Sequence, residues 1–195
     1  MASKPKSQHR PRNAAATRDA ILESAIRNFA RAGYDGVGVR EIATDAGVTA
    51  MMVNRYFGSK EQLFAEAVEV SFTPPAVIAN ESESIAHDTA VTLIERTDAD
   101  AGPLEPFLIM LRSVSNPRAV EIVRDGIERH VGRRLARQLP ESGRQIRNEV
   151  MLSVIAGVLL MRRVIVTRTL NEADPNQLEH VLEAVFAAIV ETPLA

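Results

Sequence analysis

Apolar positions recur along this chain every three to four residues, and few stretches alternate. Ile21, Leu22, Ala25, Ile26, Phe29 and Ala30 share one helical face and predict a first helix from about Thr17, its N-cap, to Ala32. Gly33 then closes that helix in the left-handed conformation that glycine adopts cheaply. Two short helices follow, about Val39–Ala46 and Thr49–Phe57, separated by Gly47-Val48. Ser59 and Gln62 have capping-box spacing and open a fourth helix through Leu63, Phe64, Ala67 and Val68, broken by Phe72-Thr73-Pro74-Pro75. Further helices are predicted within Ser84–Arg96 and Pro103–Arg112, and from Asn116-Pro117 to just before Pro140. Ser142 and Gln145 are spaced to box a helix of about 27 residues ending near Arg168, and Asp174-Pro175 opens a last one to Val190. No β-branched alternation runs between turn signals, so the fold class is all-α, with about nine helices.

The informative stretch is Val39 to Phe57. Two short helices crossing steeply over a tight turn need a small residue at the crossing and a glycine in the turn. Ala43 and, four positions on, Gly47 meet those needs, and Ile42, Val48 and Val53 are placed to lock the pair. With Val53 and Phe57 inward, the opposite face of the second helix presents Met51 and Arg55, flanked by Met52 and Asn54, with Tyr56 at the edge. Such a face suits a recognition helix in the major groove. Arg55 can fork onto guanine, Asn54 can pair with adenine or a phosphate, and the methionines can touch thymine methyls. Thr49 and Ala50 at the helix start and Arg40 on the preceding helix complete the candidate DNA-binding set. An ordinary helical hairpin would not choose two exposed methionines for a solvated face.

Charge adds to this picture. The net charge of −2 divides into ten Lys/Arg against five Asp/Glu over residues 1–60, and thirteen against twenty in the remainder. A basic head on an acidic body points the head at a polyanion. Residues 1–16 lack apolar period and carry Lys4, Lys6, Arg10 and Arg12, so they read as a flexible basic arm able to follow the DNA backbone or enter a minor groove. No apolar segment follows these charges, as a secretory signal would require. The longest apolar stretch, Val150 to Met161, is too short to span a bilayer. The expectation is a soluble protein without membrane partners. The absence of cysteine excludes disulfides, thiolate metal sites and cysteine nucleophiles, and fits a reducing cytoplasm.

These residues also carry a resemblance. Ile26 and Phe29, Gly33-Tyr34, Ile42-Ala43, Ala46-Gly47-Val48, Tyr56-Phe57, Ser59-Lys60 and Leu63-Phe64 resemble the N-terminal signature of TetR-family regulators. The resemblance covers residues 17–68 and implies a cytoplasmic dimer, usually a repressor, released from DNA by a small ligand. It further implies that Lys60 contacts a phosphate together with the amides opening its helix. Two positions depart from the pattern, Asn54 where the family has Tyr and Gly38 where it has Ser or Thr. Both usual residues contact the DNA backbone, so Arg55, Tyr56 and Arg40 are the candidates to compensate. The expected organisation is an arm over 1–16, a DNA-binding domain over 17–64 and a ligand-sensing, dimerising domain over 65–195.

In the C-terminal half, the helix of 142–168 is apolar nearly all round, and Gly157 allows close approach. Pairing it and the last helix with their symmetry mates in a four-helix bundle makes Val150, Val154, Val158, Leu178, Val181, Val185 and Ile189 the expected dimer interface, some of which must also serve the intrachain core. Phe107, Met110, Leu111, Met151, Met161 and Arg162 are the candidates for an effector pocket, though each could be plain core. Arg162 and Arg163 within a buried helix require an anionic partner, with Glu121, Glu128 or Glu183 favoured over an acidic ligand. The four histidines show no metal-ligand spacing, and neither a nucleophile elbow nor a phosphate-cradling loop occurs. No cofactor, metal or enzymatic activity is therefore expected. The partners expected are palindromic double-stranded operator DNA, a second copy of the chain and an unidentified small-molecule effector. The reading from another class is a helical adaptor that binds protein with the same head.

Overall fold

The run Ala14-Ala15-Ala16 has the highest helix propensity available, and it carries the first helix back beyond the expected cap. Helix α1 spans Arg10–Ala32, with Thr17 inside it. The part of the expected arm within the structure is thus helical, and Lys4 and Lys6 lie outside the described residues. A computed structural model describes residues 10–73, 84–98, 100–102 and 104–194, with side chains from Ala14 onward. Every regular element among them is helical.

After α1 come α2 (Val39–Asp45), α3 (Ala50–Phe57) and α4 (Lys60–Phe72), then α5 (Ile85–Thr97) and α6 (Glu105–Ser113). Asn116 caps α7 (Pro117–Gly126), its Oδ1 accepting from the Ala119 N–H at 3.0 Å. A π-helical turn, Ile127–Gly132, continues α7 into α8 (Arg133–Ala136). Helix α9 (Arg144–Leu159) likewise runs into a π turn, Leu160–Val164, before α10 (Arg168–Glu172) and α11 (Pro175–Glu191). Counting each uninterrupted run once gives ten helices among the described residues, one more than expected. The additional one is α10. The long helix expected over 142–168 stops at Val164, where the Thr167 N–H donates to the Met161 carbonyl at 3.0 Å and Val166 adopts φ 57°. Its expected cap also fails. Gly143 caps α9, and the Ser142 hydroxyl donates instead to the Leu194 carbonyl.

Two compact units result. The first comprises residues through Ser71 together with Glu105–Arg124, and the second Phe72–Leu104 with Asp125–Ala195. The first unit thus extends past residue 64 and takes in α6, because α6 packs along α1. Arg112 on α6 donates to the carbonyls of Ala30 and Arg31, capping the C-terminal end of α1. Gly33 ends α1 at φ 73°, as its position predicts, and lies so close to α6 that an added Cβ would stand 2.0 Å from the Arg112 carbonyl oxygen. Phe29, Tyr34 and Phe64 form an aromatic cluster in this unit, each ring 4.9–6.3 Å from its neighbours.

In the second unit α11 packs on α5 through Leu182 and Phe186 and adjoins α9. Arg147 on α9 is a buried guanidinium held by carbonyls. Its Nε donates to Ser142 at 3.1 Å, its Nη2 to Thr192 at 2.5 Å, and its Nη1 to Ile189, which ties the end of α11 to α9. No helix among the described residues is long and apolar enough to cross a membrane.

Candidate nucleic-acid interface

The pattern read from Val39 to Phe57 folds as a helix-turn-helix. Ala43 is 2% exposed at the crossing, and its carbonyl accepts from the Val48 N–H at 2.9 Å. Gly47 makes the turn at φ 68°. Ile42, Val53 and Phe57 are buried, so α3 can rest on α2 only one way round. That phase leaves Met51 80% exposed, a large cost for a solvated methionine that nothing else covers. Asn54 and Arg55 are exposed beside it, with Met52 and Tyr56 half-buried at the edges. The side chains of Arg40, Asn54 and Arg55 make no hydrogen bond or ion pair with any described residue, so their donors are available to a ligand. Thr49 occupies the N-cap of α3, yet its hydroxyl makes no capping hydrogen bond to that helix. Ala50 opens the helix beside it.

Lys60, the first residue of α4, holds its Nζ 4.5 Å above the Tyr34 ring. Burial lowers its pKa, against the pull of Asp35 and Glu41, and burial likewise raises that of Tyr34, with help from Glu61 and Asp35. The ammonium therefore sits over the Tyr34 ring at the first residue of α4, the positive end of that helix dipole. Ser59 accepts from the Gln62 N–H at 3.1 Å, one half of the expected capping box, while the Ser59 N–H donates to the Phe57 carbonyl at 2.9 Å rather than back to Gln62. At Gly38 the cap of α2 is reversed: the Glu41 carboxylate accepts the Gly38 N–H at 2.8 Å, so no side chain is needed there.

What positions these groups escaped the sequence reading. Ser24 and Asn28, one turn apart on α1, are fully buried among apolar neighbours. The Ser24 hydroxyl donates to the Ile42 carbonyl at 2.9 Å, and the Asn28 amide donates to the Ser24 carbonyl and, at 2.7 Å, to Asp45. Arg31 donates to Asn28 Oδ1 at 2.6 Å. This ladder fastens α2 to α1 at defined atoms. The only trace in the sequence is a pair of polar residues at i, i+4 on the apolar face of α1.

The expected dimer residues lie along α9 and α11. Val150, Val181 and Val185 are exposed, and Val154, Val158, Leu178 and Ile189 are half-buried. Ile146, Val150, Val185 and Ile189 line an apolar groove with Arg147 and Leu194. Among the described residues nothing lies within 4 Å of the position a Cβ would take at Gly157, so none of them uses the close approach it allows.

The expected effector residues divide between the two units. Phe107, Met110 and Leu111 belong to α6, whereas Met151, Met161 and Arg162 belong to the second unit. Phe107 and Met151 are buried, and Met161 is exposed. Arg162 and Arg163 find no partner in the three glutamates expected to pair with them. Arg162 Nη1 donates to the buried Thr97 hydroxyl, while its buried Nε has no partner. Arg163 donates to the carbonyls of Arg96, Asp98 and Ala101, at 2.9–3.2 Å. The negative end of the α5 dipole takes the place of a carboxylate.

Residues 21–67 match the sequence profile of "Bacterial regulatory proteins, tetR family", and residues 83–190 that of "Tetracyclin repressor-like, C-terminal domain". The chain is 40% identical over 60 residues to the transcriptional repressor NicS of Pseudomonas putida, covering 31% of this chain and 28% of NicS. It is 29% identical over 133 residues to the repressor SCO4008 of Streptomyces coelicolor, covering 62% of this chain and 69% of that one. Among solved structures, the multidrug binding protein EbrR complexed with imidazole superposes with a TM-score of 0.67 at 21% identity, over 99% of this chain and 100% of EbrR. The two profiles between them take in the helix-turn-helix and most of the second unit, and on that ground the chain belongs to the TetR family of bacterial regulatory proteins.

Proposed function

We propose that the protein is a sequence-specific DNA-binding transcriptional regulator, a repressor that binds a palindromic operator as a homodimer and leaves it when a small effector binds. The observation that carries this is the outward face of α3, where Met51, Asn54 and Arg55 stand free above a buried Val53 and Phe57. A mobility-shift titration with DNA from upstream of its own gene tests it. A shift that survives excess random duplex supports the reading, and its absence would favour a protein-binding adaptor.

Arg55 and Lys60 have different expected roles. Arg55→Ala should relax preference at one operator position by about 1–3 kcal/mol, the worth of a bidentate base contact. Lys60→Ala should weaken specific and random duplexes alike, because a phosphate contact carries no sequence information. Competition titrations against both duplexes check this, and equal losses for both variants would make Arg55 another phosphate contact.

Dimerisation is supported by the exposed apolar strip on α9 and α11. Valines on adjoining helices are costly in water, and the open space beside Gly157 admits a second helix. For the effector, the buried Arg162 Nε lacks an acceptor, and Met151, in the core of the second unit, is an adaptable side chain able to repack around a guest. An amphipathic molecule with an acceptor group suits these side chains. Phe107, Met110 and Leu111 are the candidates on α6. By linkage, such a ligand and the operator must weaken each other by the same factor. Calorimetry with and without operator measures both, and a screened ligand that leaves operator affinity unchanged would refute the sensor role.

A further inference from the structure

Outside these regions, one cluster joins chemistry from two distant parts of the sequence. His87 lies in the first turn of α5, and Glu179 and Glu183 lie one turn apart on α11. His87 Nδ1 is 3.1 Å from Glu183 Oε2, and one ligand atom from each of the three residues lies within 4.8 Å of the others. We propose that His87, Glu179 and Glu183 form a binding site for a divalent cation of the zinc class, which clamps α5 to α11.

The donor set selects the ion. One imidazole nitrogen and two carboxylates suit zinc, cobalt or nickel, whereas magnesium and calcium prefer oxygen alone. A neutral imidazole and two carboxylates carry two negative charges, which a divalent ion balances. Bonds of about 2.1 Å in a tetrahedral site set neighbouring ligand atoms about 3.4 Å apart. The His87–Glu183 pair already meets that spacing, and the remaining gap closes by rotation of glutamate side chains that solvent leaves free to move. A site with three protein ligands keeps a position for water. Sequence spacing could not show this arrangement, because no two of the ligands form a histidine pair and α5 meets α11 only in the fold.

The plain alternative is a His87–Glu183 ion pair with Glu179 as a bystander, and Glu179 separates the two. Tag-free, chelator-treated full-length protein is titrated with zinc by calorimetry and with cobalt by visible absorption. The expected result is one ion per chain and cobalt bands in the visible. His87→Ala, Glu179→Gln and Glu183→Gln should each weaken binding at least about tenfold. His180→Ala, an exposed histidine of α11 outside the cluster, should change it less than twofold. Zinc should raise the thermal midpoint of the parent and not of Glu179→Gln, whose midpoint in chelator should equal the parent's. No binding at millimolar zinc, binding unchanged in Glu179→Gln, or equal loss in His180→Ala would each overturn the site. Operator binding is not used in any arm, so the result is independent of the regulatory reading.

Discussion

Val185→Asp is expected to turn the proposed dimer into a folded monomer. The side chain is 38% exposed on its own chain, so an aspartate there meets water and leaves the packing of α11 through Leu182 and Phe186 intact. In an isologous contact each copy brings the same change, and both carboxylates lose water without a partner. The cost is about 3–5 kcal/mol, the range for leaving a charge buried and uncompensated. That raises the dimer dissociation constant by about two to four powers of ten. Operator binding should fall with it, because one half-site contact replaces two. Sedimentation velocity over a concentration series, with circular dichroism to establish folding, gives the outcome. A Val185→Asp protein that still sediments as a dimer, or a parent that is monomeric, would remove α11 from the interface.

The second large effect is expected from Gly33→Ala. Two costs coincide at this position. The left-handed backbone at φ 73° disfavours any Cβ by about 1–2 kcal/mol. The added methyl also meets the Arg112 carbonyl oxygen at 2.0 Å, which is backbone and must move as part of α6, adding about 1–3 kcal/mol of overpacking. A total of about 2–5 kcal/mol lowers the thermal midpoint by about 5–15 °C in a chain of this size. Gly47→Ala separates the two costs, because Gly47 shares the left-handed backbone at φ 68° and has nothing within 4 Å of the new Cβ. It should lose only the conformational part. Thermal unfolding of both variants decides the matter, and equal losses would show that α6 does not press on Gly33.

Gly33 also shows how far the sequence could be understood unaided. Its place after an apolar period discloses a helix end, and the end is there. The close approach of α6 is a contact across some 79 residues, and no local pattern encodes it. The same division runs through the candidate site. Buried Val53 and Phe57 and bare Met51 follow from helical phase, which is a property of adjacent residues. Asn116, Asp174 and Ser59 act as caps where expected, since a cap is a local bond. Ser142 does not, because α9 starts one residue later than expected, with Gly143 in the N-cap position, and the Ser142 hydroxyl donates to the distant Leu194 carbonyl. Arg162 misled for a related reason. A buried guanidinium suggests a carboxylate, but Arg162 donates to the Thr97 hydroxyl and Arg163 to carbonyls at the end of α5, and neither acceptor carries a sequence label. Ser24 and Asn28 are not legible in the sequence, because polar residues on an apolar face carry no local sign of the carbonyl and carboxylate they reach.

That buried ladder beneath α2 bears on how such a protein diverges. Ser24 and Asn28 fix the seat of α2 from the side away from solvent, and the buried Ile42, Val53 and Phe57 fix α3 upon it. None of these anchors lies on the face that carries Met51, Asn54 and Arg55. Substitutions on that face remove no packing and break no intrachain hydrogen bond, so their expected effect on stability stays within about 0.5 kcal/mol. Descendants of this gene can therefore sample new operator preferences without first acquiring compensating mutations. A change at Ser24 or Asn28 strands a buried polar group at a cost of about 1–3 kcal/mol, whatever the operator. Lineages should retain the anchors while the reading face drifts.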